Sequence, residues 1–185
     1  MDKLKLRQDL KRRRALLSNA ERLSFATAAA DHLMGISPMA SSRRIGLYRS
    51  VRDELSTEPL FRQLLEAGRE VFFPKMDQMT GALNWGASTD LSALVKGPFG
   101  IPEPTKATSD TASLDMIVVP GLGFGLKGGR LGYGAGWYDR TLEHFKGQII
   151  GFGFECQVLD AVPVEGHDRS VHWIVTELRA IPIES

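Results

Sequence analysis

The stretch from Gly121 to Gly136 is where this chain could do chemistry. Eight of its 19 glycines fall in those 16 residues, in a run, GLGFGLKGGRLGYGAGWYDR, that continues to Arg140. Leu, Phe, Tyr and Trp are interleaved with the glycines, whereas a solvated linker would be Ser- or Pro-rich. The run follows an apolar segment, DMIVVPG (115–121), and leads into WYDRTLEHF (137–145), which reads as a helix. Between a strand and a helix, glycines let bare backbone N–H groups approach an anion. Lys127 and Arg130 add formal positive charge beside them. A tight turn alone would need far fewer glycines.

The kind of anion loop is narrowed by what is missing. No window supplies Gly-x-x-x-x-Gly-Lys-Ser/Thr. Gly123-x-Gly125-x-x-Gly128 matches the dinucleotide fingerprint literally, but no helix opens there, and the acid near the required spacing, Glu143, falls inside the next helix. The more specific segment runs from Arg130 to Arg140, with Asp139 at the start of a helix. That acid is readable as a metal ligand or as a first-turn carboxylate favoured by the helix dipole. There is no Gly-x-Ser-x-Gly elbow, and the four histidines form no HExxH site.

The elements that must position this loop follow from periodicity. Residues 3–17 read as a helix with Leu6, Leu10 and Leu17 on one stripe. Lys3, Arg7, Lys11 and Arg14 fall in a narrow sector beside it, so docked leucines would aim a row of cations along one edge. Arg12 and Arg13 lie off that edge. Ser18 and Glu21 have capping-box spacing and start a second helix that ends at Met34 before Gly35, completing an αα-hairpin. RIGLY (44–48) and EVFFP (70–74) are β-rich, and the helix between them starts near Thr57 and ends at Gly68. GPFGIPEP (97–104) is too punctuated for a helix. QIIGFGF (148–154), VHWIVTE (171–177) and LRAIPI (178–183) read as strands. Strands alternating with helices predict an α/β protein with a largely parallel sheet.

Composition bounds the rest. With 185 residues, 43% hydrophobic and 24% charged, the chain suits one domain that folds without disulfides or structural metal. Cys156 is the single cysteine, so no internal disulfide or Cys-based zinc site is possible. It reads as a small buried apolar residue. No apolar run approaches the roughly 20 residues that span a bilayer. The charged N-terminus lacks a signal peptide's apolar core. These features predict a cytoplasmic protein with no membrane partner. Residues 1–22 carry eight Lys/Arg and three acids, a net +5, and the remainder is −4 for a total of +1. That imbalance points to a local anion rather than to nucleic acid.

RLGYGAGWYDR preceded by VVPGLGF resembles the signature of the 5-formyltetrahydrofolate cyclo-ligase family. The likeness spans the chain: Lys3 and Arg7, Tyr48, Asp53-Glu54, Thr57, Phe73-Pro74, the Gly100-Ile101-Pro102-Glu103-Pro104 segment, Pro163 and His167-Asp168. It implies a three-layer α/β/α fold and the conversion of 5-formyltetrahydrofolate and ATP to 5,10-methenyltetrahydrofolate, ADP and phosphate with magnesium. It further implies that Lys3, Arg7 and the Arg130-Leu131-Gly132-Tyr133-Gly134-Ala135-Gly136-Trp137-Tyr138 loop hold ATP. Asp139 and Asp168 would hold the metal, Tyr48, Glu54 and Trp137 would line the folate pocket, and Arg130 and Trp137 would act in catalysis. Two positions depart from the pattern: Trp137 stands where the family usually has Tyr, and Gly125 where an Asp commonly follows the Phe. A monomer acting on a small molecule is expected. The alternatives are another ATP-dependent ligase or a non-catalytic nucleotide- or folate-binding relative.

Overall fold

A computed structural model describes residues 2–166 and 168–184; His167, one of the residues that carry the resemblance, lies outside them. Helix α1 (Lys3–Ala15) is followed by α2 (Asn19–Met34), whose N-terminus is closed by the reciprocal Ser18–Glu21 capping box. Strand β1 (Arg44–Leu47), helix α3 (Glu58–Glu66), strand β2 (Glu70–Asp77) and strand β3 (Ala82–Ala87) come next. Two short strands, β4 (Val95–Lys96) and β5 (Pro102–Glu103), form a separate hairpin. Then come β6 (Met116–Val119), β7 (Gly123–Gly125), β8 (Arg130–Leu131) and α4 (Trp137–Leu142). The chain closes with β9 (Gln148–Phe152), β10 (Val158–Leu159), β11 (Trp173–Val175) and β12 (Ala180–Pro182).

Seven strands make the main sheet in the order β12-β11-β9-β6-β1-β2-β3. The five inner strands are parallel, and β3 and β12 pair antiparallel at the two edges. Alternate residues fill opposite faces, as strand geometry requires. Ile45, Leu47, Val71, Phe73, Met116, Val118, Ile150 and Phe152 face one core, which α2 and α3 cover. Phe72, Ile117, Val119, Ile149 and Ile174 face the other, closed by Trp85, Phe124, Leu142 and Phe145. On α2 the buried positions Ala26, Ala29, Ala30 and Leu33 keep helical spacing, and their small side chains let the helix lie close to the sheet. The architecture is the expected three-layer α/β/α arrangement. Its second helical layer is thin: α4 ends at Leu142 instead of running to Phe145, and aromatic side chains do much of the covering.

The two N-terminal helices pack on different partners. While α2 lies on the sheet, α1 buries Leu10 against Leu131 and Val162, outside the main core. A Cβ at Gly123 would sit 2.7 Å from the Leu10 side chain, so the glycine is what admits the leucine. Leu10→Ala should therefore loosen α1 specifically, lowering stability by about 2–4 kcal/mol. Urea unfolding checks this, and a loss below about 1 kcal/mol would mean that α1 is held some other way.

Candidate active site

The direction of the chain reverses across the sheet at one place. From β1 the next parallel strand, β2, lies on one side, whereas β6, β9 and β11 follow on the other. Ligands of open parallel sheets bind outside the carboxyl ends of the strands at such a switch point. Here a cleft of about 930 Å³ opens where β1 is followed by Tyr48 and β6 by Pro120. The loop from Arg130 to Asp139 forms one wall, and Lys3, Arg7, Tyr48, Glu54 and Asp168 contribute to the others. Every residue singled out from the sequence as a site residue thus lines one cleft.

The glycine loop holds its shape through φ angles that side chains resist. Gly136 sits at φ +70° as the cap of α4, and a Cβ there would lie 2.7 Å from the Arg140 guanidinium. Arg140 donates to the carbonyls of Gly81 and Ala135 and rests over the Trp137 ring, 5.6 Å from its centroid. Arg7 donates from Nε to the Gly132 carbonyl at 2.9 Å, which seats the N-terminal helix on the loop. Tyr133 is flanked by Lys11, 5.3 Å from the ring centroid, and accepts from Arg14 at its hydroxyl. Arg14 differs from the expectation of a row of cations along an edge. It is 1% exposed and donates twice to the Asp53 carboxylate, at 2.6 and 3.1 Å.

The charged groups nearest the loop are held in pairs. Arg130 donates to Asp139 at 2.6 Å and to the Pro120 carbonyl at 3.3 Å, and its Nε is buried without a hydrogen-bond partner. Lys3 lies 2.7 Å from Glu165 and 3.9 Å from Asp168, while Asp168 also accepts the Glu165 backbone N–H. Among the described residues no three His, Cys, Asp or Glu side chains gather as a ready-made metal cage. Tyr48 and Tyr138 have hydroxyls pushed up by burial, so both remain protonated at neutral pH. Tyr48 donates to the Leu55 carbonyl, which pins the segment carrying Glu54. Glu54 accepts the Val51 N–H at 3.0 Å.

Sequence reasoning missed two cations here, Arg49 and Arg52, both of which line the cleft. The Nε of Arg49 is buried with no hydrogen-bond partner among the described residues. The available signal was its position as the first polar residue beyond Tyr48, at the carboxyl end of a central strand.

A mostly parallel α/β sheet with a glycine-walled cleft at its switch point, lined by five cations and five carboxylates, defines the class: an α/β protein with a small-molecule site at the strand ends. The chain belongs to the 5-formyltetrahydrofolate cyclo-ligase family, whose profile matches residues 1–177. It is 32% identical to the 5-formyltetrahydrofolate cyclo-ligase of Escherichia coli over 174 residues, 90% of this chain and 96% of that protein. It is 33% identical to the enzyme of that name from Mycolicibacterium smegmatis over 188 residues, covering 97% and 95%. The fold is similar to that of 5,10-methenyltetrahydrofolate synthetase from Aquifex aeolicus, with a TM-score of 0.88, 30% identity, and 100% and 94% of the two chains covered.

Burial also pushes the Glu54 carboxyl above the usual carboxylate range. The folded chain then holds that proton more tightly than the unfolded chain does, so ionisation near neutral pH costs stability. The cost vanishes as pH falls below the carboxyl's ordinary unfolded value. Glu54→Gln should raise Tm at pH 7 and give no advantage near about pH 4. Equal melting temperatures for the two proteins at pH 7 would contradict this.

Proposed function

We propose that this protein converts 5-formyltetrahydrofolate and ATP to 5,10-methenyltetrahydrofolate, ADP and phosphate. The supporting observation is the single cleft in which the glycine loop, Lys3, Arg7 and Arg130 meet an aromatic and carboxylate-bearing wall. An N-formyl amide is a poor electrophile because nitrogen donates into its carbonyl. Attack of the formyl oxygen on the γ-phosphorus, with ADP leaving, gives an iminium carbon bearing phosphate. N10 then forms its bond to that carbon, the carbon–oxygen bond to phosphate breaks, and the N10 proton is released. Such a sequence asks for positioning and charge neutralisation rather than a protein nucleophile.

The residues fit those demands. Arg7 and Arg130 would meet phosphate oxygens, the latter with a buried Nε that has no hydrogen-bond partner among the described residues. Lys3 is a point charge beside the same loop. The loop from Leu131 to Tyr138 would bring backbone N–H groups to the nucleotide. Trp137, half-buried at the start of α4, would lie against the formyl-bearing ring with Tyr48 and Glu54. Asp139 and Asp168 offer hard oxygen donors, and magnesium characteristically uses one or two carboxylates together with substrate phosphates and water. When bound there, magnesium would offset phosphate charge.

Product formation, followed by the near-UV absorbance of the methenyl compound, should require both ATP and a divalent metal. Full rate after chelation and nucleotide removal would overturn the reading. Asp139→Asn and Asp168→Asn should each raise the magnesium concentration needed, and unchanged dependence would remove that residue from the site.

Arg7→Ala tests the helix. A lost charge-assisted contact of roughly 1.5–3 kcal/mol corresponds to about a ten- to hundredfold rise in the ATP requirement. Folate binding should change little. Arg12 and Arg13 pair with Asp9 on the outer side of α1, so replacing either with Ala should leave the ATP requirement within about twofold, as expected for exposed pairs.

A further inference from the structure

The proposed chemistry uses the glycine loop for its backbone N–H groups and leaves the Tyr133 side chain without a task. That side chain stands among cations from two elements. The Arg130 guanidinium lies beside Gly132 and the Arg7 guanidinium beside Gly134, at 3.1 and 3.3 Å from where a Cβ would be. From α1, Lys11 reaches the face of the tyrosine ring, and Arg14 donates to the hydroxyl oxygen at 2.9 Å. Tyr133 is 41% exposed and lines the cleft, so it is not held there by the core.

A tyrosine hydroxyl can donate one hydrogen bond as well as accept. Here Arg14 takes the accepting side, and burial pushes the hydroxyl up, so its proton stays on the oxygen at neutral pH. Two acids stand on the segment after β1. Asp53 is already engaged, because both of its oxygens accept from Arg14. Glu54 has room: the Val51 N–H supplies one hydrogen bond, of about four that a carboxylate can accept. Burial pushes the Glu54 carboxyl up, and Tyr133 acts in the opposite direction by favouring its ionised form. The other groups that act on Glu54 are Arg14 from α1, Asp53 beside it, and the hydroxyls of Tyr48 and Tyr138.

We propose that Tyr133 is a positioning residue that joins the two halves of the cleft: with its oxygen fixed by Arg14, its hydroxyl donates to Glu54 and orients that carboxylate toward the folate. This rests on the ligand being a reduced folate, as argued above. A tyrosine whose only task were to satisfy Arg14 would matter for stability and for nothing that Glu54 does.

Tyr133→Phe keeps the ring, removes only the hydroxyl, and leaves Arg14 its Asp53 partner. The first measurement follows the Glu54 carboxyl by NMR in the ligand-free protein, its signal identified by its loss in Glu54→Gln. Losing a donor to the ionised form should move the titration midpoint upward by about one pH unit in Tyr133→Phe. An unmoved midpoint would overturn the proposal, and that arm needs no folate. The second measurement is the Kd for 5-formyltetrahydrofolate in wild type, Tyr133→Phe, Glu54→Gln and the double variant. Tyr133→Phe should raise that Kd about tenfold when Glu54 is present, the value of a contact with a charged acceptor, and less than about twofold in the Glu54→Gln background. Equal losses in the two backgrounds, a loss confined to ATP, or a lowered Tm with no change in folate Kd would each overturn it. Failure of the wild type to bind 5-formyltetrahydrofolate or to form the methenyl product would instead count against the reaction itself, which the ligand-free titration keeps separate.

Discussion

A buried guanidinium ties the parts of the cleft together. Arg14 leaves the outer surface of α1 and donates to Asp53 and to the Tyr133 hydroxyl, joining the N-terminal helix to the loop after β1 and to the glycine loop after β8. Arg22 closes the knot from α2, donating to the carbonyls of Arg14 and Asp53. Three segments far apart in sequence are thereby set in register. An arginine suits this because its planar fork can serve a carboxylate and a hydroxyl at once. The pair adds little net stability, since desolvation offsets most of its attraction, but Arg14 without Asp53 would be a buried, uncompensated charge. Its main effect is on geometry: with Arg14 anchored, Arg7 two turns earlier on the same helix is delivered to the Gly132 carbonyl.

That geometry is maintained against local stability. Glu54 and Glu103 sit where burial raises their proton affinity, the Nε of Arg49 is buried with no hydrogen-bond partner among the described residues, and Phe99 and Arg52 hold left-handed backbone conformations. These departures cluster around a single cavity, while the sheet beneath it is regular and filled. A rigid parallel core with strained, undercompensated groups at its carboxyl end is how a fold reserves interaction energy for a ligand.

How much of this was legible in the sequence depended on how local the cause was. The capping box at Ser18, the apolar spacing of α2 and the β-branched run of β6 are written in adjacent residues. So is the glycine loop, with Arg130 and Asp139 nine positions apart. The cation edge of α1 was readable from helical angle alone, but the burial of Arg14 was not, because Asp53 and Tyr133 reach it only through tertiary structure. Two-residue strands such as β4 and β5 have no periodicity to detect, so the hairpin bearing Phe99 and Glu103 read only as a Pro-rich passage. Arg49 carries no motif, and its importance comes from standing just past the end of a central strand, a fact of topology. The early end of α4 has a similar origin: Leu142 and Phe145 both reach the core, but Glu143 is already the cap.

The pairing of charges around the glycine loop has its own logic on the proposed reading. Arg130 holds Asp139, and Lys3 stands between Glu165 and Asp168, so opposite charges are compensated within a partly buried cleft. A nucleotide with its magnesium carries the same complementary pair of charges, polyanionic phosphates and a divalent cation. Binding can then proceed as an exchange of partners, with guanidinium and ammonium turning to phosphate while the carboxylates turn to the metal. Because each group leaves one charged partner for another, neither the empty nor the filled site has to bury an isolated ion, which is the most destabilising arrangement open to it. The exchange also explains why cations and carboxylates share one short arc of the cleft: an arc of cations alone would bind phosphate but repel the metal, and an arc of carboxylates alone would do the reverse.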